Sequence, residues 1–314
     1  PDLSLRLRFD LQLPAHPTEA GPELDLQAEI LNANAAVIRD YLPDAKLKPR
    51  LRDWLERAFP AGRIPMGLVL FRGPLAAFPF RQDEGQFHCL LGVEAMGLNF
   101  HPDWPPLEGF DGFVHFHNQA MNIVTTGGGI LGFPLLAVQA RIPDLGAARS
   151  IQVRGQALGD FAQGLFFLQE TPLKRRLGAI PGLFTAEGQV QVDLDLDIPL
   201  AKGHPENQLR LAGTLSWPGA AGLTLAGADL VLRDLRGVLS FNQMGVTASR
   251  LEAQFLGAPL TLDLDPGQDD ASGTGLTRLK LNAVTTVGNL AGQLPSPLWR
   301  HLEGEIPWEM DIRV

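Results

Sequence analysis

Residues 189–200, Gln-Val-Gln-Val-Asp-Leu-Asp-Leu-Asp-Ile-Pro-Leu, alternate apolar and polar positions almost without exception. Val190, Val192, Leu194, Leu196 and Ile198 share one parity; Gln191, Asp193, Asp195 and Asp197 share the other. Successive side chains point to opposite faces in a strand, so the spacing predicts a strand with one apolar and one acidic face. A helix would place Asp193 and Asp197 beside Val190 and Leu196 and leave no apolar stripe. The same alternation runs through residues 3–13 (Leu3, Leu5, Leu7, Phe9, Leu11, Leu13) and through Leu260, Leu262 and Leu264. A fold made of such strands is constrained above all by what covers its apolar faces.

The chain in order supports a mostly β architecture. Strands are expected over 24–31, 63–71, 87–93, 112–126, 130–142 and 150–158. After 189–200 they continue over 207–217, 223–232, 237–241, 246–255, 259–265 and 276–283, and Gly, Asp and Pro separate them. With 34 Gly, 25 Pro and only 19% charged residues, many short strands and turns fit better than a helical bundle. Helical spacing appears over 47–59, where Leu47, Leu51, Trp54, Leu55, Ala58 and Phe59 are followed by Pro60 and Gly62. A weaker helical stretch covers 160–177, broken at Thr171-Pro172, and a third covers 297–302.

These helical interruptions recur. Pro43, Pro172 and Pro297 each lead into one, at separations of 129 (172 − 43) and 125 (297 − 172), and strands follow each time. The expected division is therefore 1–40 as the end of one repeat, 41–170 and 171–293 as repeats with a leading helix, and 294–314 as the start of another. Pro1 stands directly ahead of a strand pattern and the chain stops soon after Trp308, so a piece of a longer protein is expected.

Composition excludes several classes. A net charge of −9 argues against a nucleic-acid partner. Cys89 is the only cysteine, so no disulfide forms within the chain. Residues 112–140 carry no Asp, Glu, Lys or Arg, but His115, His117, Asn118, Gln119 and a triple glycine interrupt any spanning helix. The apolar faces can be closed by a second sheet, by a barrel, or left as the inner wall of a curved sheet. Periodicity does not choose among these. A wall of aliphatic stripes suits a lipid tail, since burying each methylene contributes about 0.8 kcal/mol.

Tyr41-Leu42-Pro43, Trp54-Leu55, Gly62, Gly73, Phe78-Pro79-Phe80, Gly85-Gln86-Phe87, Trp104-Pro105, Thr171-Pro172-Leu173 and Asp197-Ile198-Pro199-Leu200 occur in an order that resembles the YhdP family of AsmA-like proteins of the Gram-negative envelope. The resemblance covers residue 30 to the end. It implies an elongated, curved antiparallel sheet forming a hydrophobic groove, with a few short helices between repeats. It also implies a periplasmic segment of a protein anchored in the inner membrane, which moves phospholipid between inner and outer membranes without enzymatic chemistry or a cofactor. The family's helix near the N-terminus has no counterpart here. A β-sandwich that binds or scaffolds envelope components is the alternative.

By strand parity, Val190, Val192, Leu194, Leu196, Ile198, Leu209, Leu211, Leu215, Leu260, Leu262 and Leu264 are expected to line the groove, and a charge at Leu194 or Leu211 to block it with the fold intact. No catalytic or metal set is expected. His115 and His117 share a strand face, but no cysteine or carboxylate cluster completes a site. His88 and Cys89 point to opposite faces, and Cys89 shares parity with Phe87, Leu91 and Val93. Gly127-Gly128-Gly129 reads as a hairpin turn, because no Lys and no helix follow it. Asp193, Asp195 and Asp197 read as a solvated face, too spread for one calcium ion.

Overall fold

The computed structural model describes residues 4–14, 21–35, 57–147, 150–171, 174, 180–199, 210–226, 230–242, 245–266, 277–293 and 301–313. Among the described residues nineteen strands belong to one sheet and two complete α-helices accompany them, so the chain is mostly β. The strands are β1 (Ser4–Gln12), β2 (Glu23–Asn34), β3 (Arg63–Pro74), β4 (Gln86–Leu98), β5 (Leu107–His117), β6 (Ala120–Thr126), β7 (Gly129–Ile130), β8 (Phe133–Ile142), β9 (Ser150–Asp160) and β10 (Phe184–Glu187). They continue as β11 (Gln189–Pro199), β12 (Arg210–Ser216), β13 (Gly222–Leu225), β14 (Leu230–Arg236), β15 (Val238–Asn242), β16 (Gly245–Phe255), β17 (Ala258–Pro266), β18 (Thr277–Thr286) and β19 (Glu305–Arg313). The helices are α1 (Phe161–Glu170) and α2 (Val287–Gln293). Backbone contacts divide the chain into a first unit, residues 1–155 with 196–209, and a second, residues 156–195 with 210–314.

In the first unit β1 to β6 and then β8 pair in sequence order, every ladder antiparallel. Residues 112–126 are not one strand: β5 and β6 form a hairpin around Asn118, whose φ of 49° suits asparagine in the left-handed region. Nor is the triple glycine the reversal. The chain turns at Leu131-Gly132 (φ 51° and 76°), a pair with the positive φ values of the turns that match strand twist. Gly127 and Gly128 instead break the strand between β6 and β7.

In the second unit β12, β15, β16, β17, β18 and β19 pair in that order, and β10, β13 and β14 join the same ladder through β16. Residues 223–232 are a hairpin of β13 and β14 rather than one strand. Helix α1 starts where Asp160 Oδ1 accepts hydrogen bonds from Ala162 N (2.9 Å) and Gln163 N (3.2 Å), and stops at extended Thr171. Asp160→Ala should cost about 1 kcal/mol of stability, read as a lower urea midpoint with unchanged slope. Of the helical stretch 47–59, residues 57 and 58 are helical and 47–56 lie outside the described residues. The third expected helix, 297–302, also lies outside them up to 300.

One backbone device occurs three times. The strands β2, β9 and β18 end at Asn34, Asp160 and Thr286, 126 residues apart each time (160 − 34, 286 − 160). The next residue is buried in each case, and its N–H donates to a glycine carbonyl. The pairs are Ala35 to Gly62 (3.0 Å), Phe161 to Gly188 (2.9 Å) and Val287 to Gly304 (3.0 Å). The three glycines have φ of 123°, 90° and 117°, a region that side chains disfavour. Between donor and acceptor the chain advances 27, 27 and 17 residues (62 − 35, 188 − 161, 304 − 287). A tether of variable length is thus pinned at its base by the same bond.

Candidate functional site

Cross-strand register places apolar residues of the first unit in continuous rows. One row is Leu5, Ile30, Gly67, Leu91, Val114, Ile123 and Ala140; the next is Leu7, Ala28, Val69, Cys89, Phe116, Met121 and Ile142. Each crosses seven strands, so at about 4.8 Å per strand it runs roughly 29 Å across the sheet. At β1 this face is bare: Leu5, Leu7, Phe9, Leu11 and Leu13 are 45–70% exposed. At the strand ends nearest Gly62 the face is closed by a core of Ala33, Ala35, Ile64, Val93, Met96 and Phe110, joined by Phe59, Leu98 and Leu107. The strands bend there. Register shifts occur between Arg63 and Met66 and between Val93 and Met96, and Ala95 adopts φ 47°. Asp111 holds that bend by accepting from Ala95 N at 2.8 Å.

The second unit has the same plan with a fuller interior. Its rows are Leu215–Leu239–Ala248–Leu264–Leu279, then Leu251–Leu262–Leu281–Met310, then Ala253–Leu260–Ala283–Trp308. Arg250 (φ 56°) bends β16, and Asp263 accepts its N–H at 2.8 Å, as Asp111 does for Ala95. Phe241 lies across Gly213, where a Cβ would overlap its ring. Phe255 and Trp308 meet at 6.0 Å.

Of the residues expected to line a groove, Val192, Leu194, Ile198, Leu215 and Leu264 are half-buried and retain access to solvent. Val190 (1% exposed), Leu196, Leu211, Leu260 (2%) and Leu262 are buried. Leu209 lies outside the described residues. A charge at Leu211 would therefore disturb the fold, whereas Leu194 remains a usable position. The apolar rows of the first unit are not among the residues expected from sequence, although the alternation of residues 3–13 and the parity of Cys89 with Phe87 and Leu91 signal them.

Cys89 sits on this apolar face, and burial pushes its thiol up to about 11 from an ordinary 9.0. The folded state therefore holds its proton longer than the unfolded chain. This contribution to stability is complete below about pH 9 and is lost as pH rises towards 11. Native Cys89 should react slowly with a disulfide reagent at pH 8 and quickly in denaturant. A native rate equal to the denatured one would contradict its burial.

The opposite face of the first unit is polar near β1, where Arg6 pairs with Glu29 (3.5 Å) and Arg72 with Asp25 (2.8 Å). Further along it carries three imidazoles. The β4–β5 register sets His88 opposite His117, and His88 Nδ1 lies 3.2 Å from His115 Nε2. The rings are within 13° of parallel, with His88 4.5 Å from His117 between centroids. Burial and then the neighbouring His117 and His115 lower the pKa of His88. Among the described residues no group of three or more His, Cys, Asp or Glu is arranged to hold a metal ion. The acidic face of β11 is only partly solvated: Gln156 Nε2 (2.7 Å) and Gln191 Nε2 (3.2 Å) donate to Asp193, and Asp197 Oδ1 is buried without a partner. No described helix is long and apolar enough to cross a membrane.

A family model described as "YhdP protein" matches residues 1–314. The "Intermembrane phospholipid transporter YhdP" of Escherichia coli (strain K12) is 28% identical over 313 residues, which is 95% of this chain and 23% of that protein. The chain thus spans about a quarter of the length of this curated relative. No solved structure matches.

Proposed function

Because the chain belongs to the YhdP family, we propose that it is a segment of a bridge-like carrier whose β-groove holds phospholipid acyl chains between the inner and outer membranes. The observation that carries this reading is the pair of seven-strand apolar rows in the first unit, bare at β1 and long enough for an extended tail. The relative's name as a phospholipid transporter supports the ligand. In this reading the segment works in the periplasm, the parent protein is anchored in the inner membrane, and nothing is catalysed. Tails slide along an aliphatic wall that offers no directed polar contact, so no position holds them tightly.

The proposed repeats are 1–40, 41–170, 171–293 and 294–314. Each junction falls inside one of the three pinned tethers, 35–62, 161–188 and 287–304, which supports this division. Val192, Leu194, Leu215 and Leu264 of the second unit, and Ile198 of the first, are lining positions in this reading, because each keeps solvent access.

The test is mass spectrometry of a solvent extract of the purified chain. Phospholipid should accompany it, and Leu194→Asp should lower the amount without changing the melting temperature. A second reading, a binding or scaffolding module with a filled core, is favoured by the burial of Val190, Leu260 and Leu262. Purified chain free of lipid would select it.

A further inference from the structure

The β3–β4 connection of the first unit, residues 75–85, is unlike the short turns beside it. It begins with a 3-10 turn (Leu75–Ala77) and then brings Phe78 and Phe80 over the end of the apolar face. That end is the row Phe9, Leu26, Phe71 and Phe87, next to the row that contains Val69 and Cys89. Phe80 is 1% exposed and packs with its ring tilted against Phe71, 5.1 Å between centroids. Two glycines make room for its ring: a Cβ would stand 2.6 Å from Phe80 Cε1 at Gly85 and 3.1 Å at Gly73. Phe78 lies on this base, 5.7 Å from Phe71, 5.9 Å from Phe80 and 5.4 Å from Phe87, and is still 48% exposed.

The segment is fastened at three other hairpin ends. Leu75 N donates to Pro22 O (2.9 Å) at the β1–β2 turn. At the β5–β6 turn Asn118 accepts from Phe87 N (2.8 Å) and donates to Phe80 O (3.4 Å). Beyond β8, Arg81 forms a two-pronged pair with Asp144, one prong at 2.9 Å, and Asp144 also accepts from Gly146 N (2.9 Å) and Ala147 N (3.2 Å). Such forked pairs fix geometry as well as charge. A connection needing only to reverse the chain requires none of this; an aromatic surface held at a fixed place does.

We propose that residues 75–85 are a side wall of the lipid path: Phe80 is its plug, Arg81–Asp144 its clasp, and Phe78 the surface at which acyl chains stop. This rests on the carrier reading above and names the residues that bound the tail on one side. Phe78 determines how far a tail can spread along the strands towards the β3–β4 connection, because it stands against Phe71 and Phe87 at that end. Phe80, Arg81 and Asn118 are positioning residues that act through Phe78.

The experiment places a photoreactive benzoylphenylalanine, one site at a time, at Val69 on the floor, Phe78 on the wall and Gln82 beyond it. The whole chain is incubated with vesicles of phosphatidylethanolamine and phosphatidylglycerol, irradiated, and analysed for lipid adducts. Adducts are expected at Val69 and Phe78 and not at Gln82. Phe80→Ala, and separately Arg81→Ala, which leaves every aromatic ring in place, should each make Gln82 reactive. Adducts at Gln82 in the otherwise unchanged chain overturn the wall, as does a Gln82 that stays unreactive in folded Arg81→Ala. Val69 adducts without Phe78 adducts also overturn it while leaving the carrier reading standing. No adduct at any site overturns the carrier reading itself.

Discussion

Leu260→Asp is expected to unfold the second unit, whereas Leu264→Asp, four residues along the same strand, should leave it folded. Leu260 is 2% exposed between Ala253 and Ala283 in register, and no basic group pairs with it in that row. An uncompensated charge in such a site costs roughly 3–5 kcal/mol, a large fraction of the stability of a typical domain. Leu264 is half-buried, so an aspartate there can keep its water. Far-UV circular dichroism against urea reads the difference directly. Equal midpoints for the two variants would mean that the row of Leu260 is as open as that of Leu264. The second unit would then lack the closed interior around Leu260 and Leu262.

The second large effect concerns the pinning glycines, which share a backbone conformation but not their surroundings. Alanine at Gly304 meets nothing within 4 Å, so only strain opposes it. At Gly188 a Cβ would overlap the Ala220 carbonyl oxygen and stand 2.9 Å from Ala221 Cα; at Gly62 it would stand 2.7 Å from Met96 Sδ and 2.8 Å from Met96 Cα. Strain alone is worth about 1–3 kcal/mol, and overlap with backbone adds about 1–3 kcal/mol more. Thermal melts should therefore rank Gly304→Ala mildest, with Gly62→Ala and Gly188→Ala clearly worse. Equal melting temperatures for all three would show that the neighbours give way freely.

These two cases also mark what a one-dimensional reading of the chain can reach. Alternation fixed the strand character of residues 189–200 and of residues 3–13, because a period of two is a local property. Leu262 and Leu264 are chemically identical neighbours in that alternation, yet only Leu262 is buried. What separates them is the bend at Arg250 on the neighbouring strand, where the register shifts between the partners of Leu264 and Leu262, a feature that alternation does not encode. The three histidines tell the same story. His115 and His117 were visible as a pair, but His88 joins them only through the β4–β5 register, itself set by a bulge at Ala95. The hairpin at Asn118 was hidden because its turn uses a left-handed asparagine and neither Gly nor Pro; the break in alternation at His117-Asn118-Gln119 was its signal.

The shorter third tether carries a consequence for how such chains change over time. It is ten residues shorter than the other two (27 − 17), yet the bond at its base has the same length to within 0.1 Å. Strand order and register are therefore insulated from insertions and deletions at that margin. Chain between donor and acceptor can be lengthened, trimmed or exchanged, while the pleats on either side of that clamp keep their gauge.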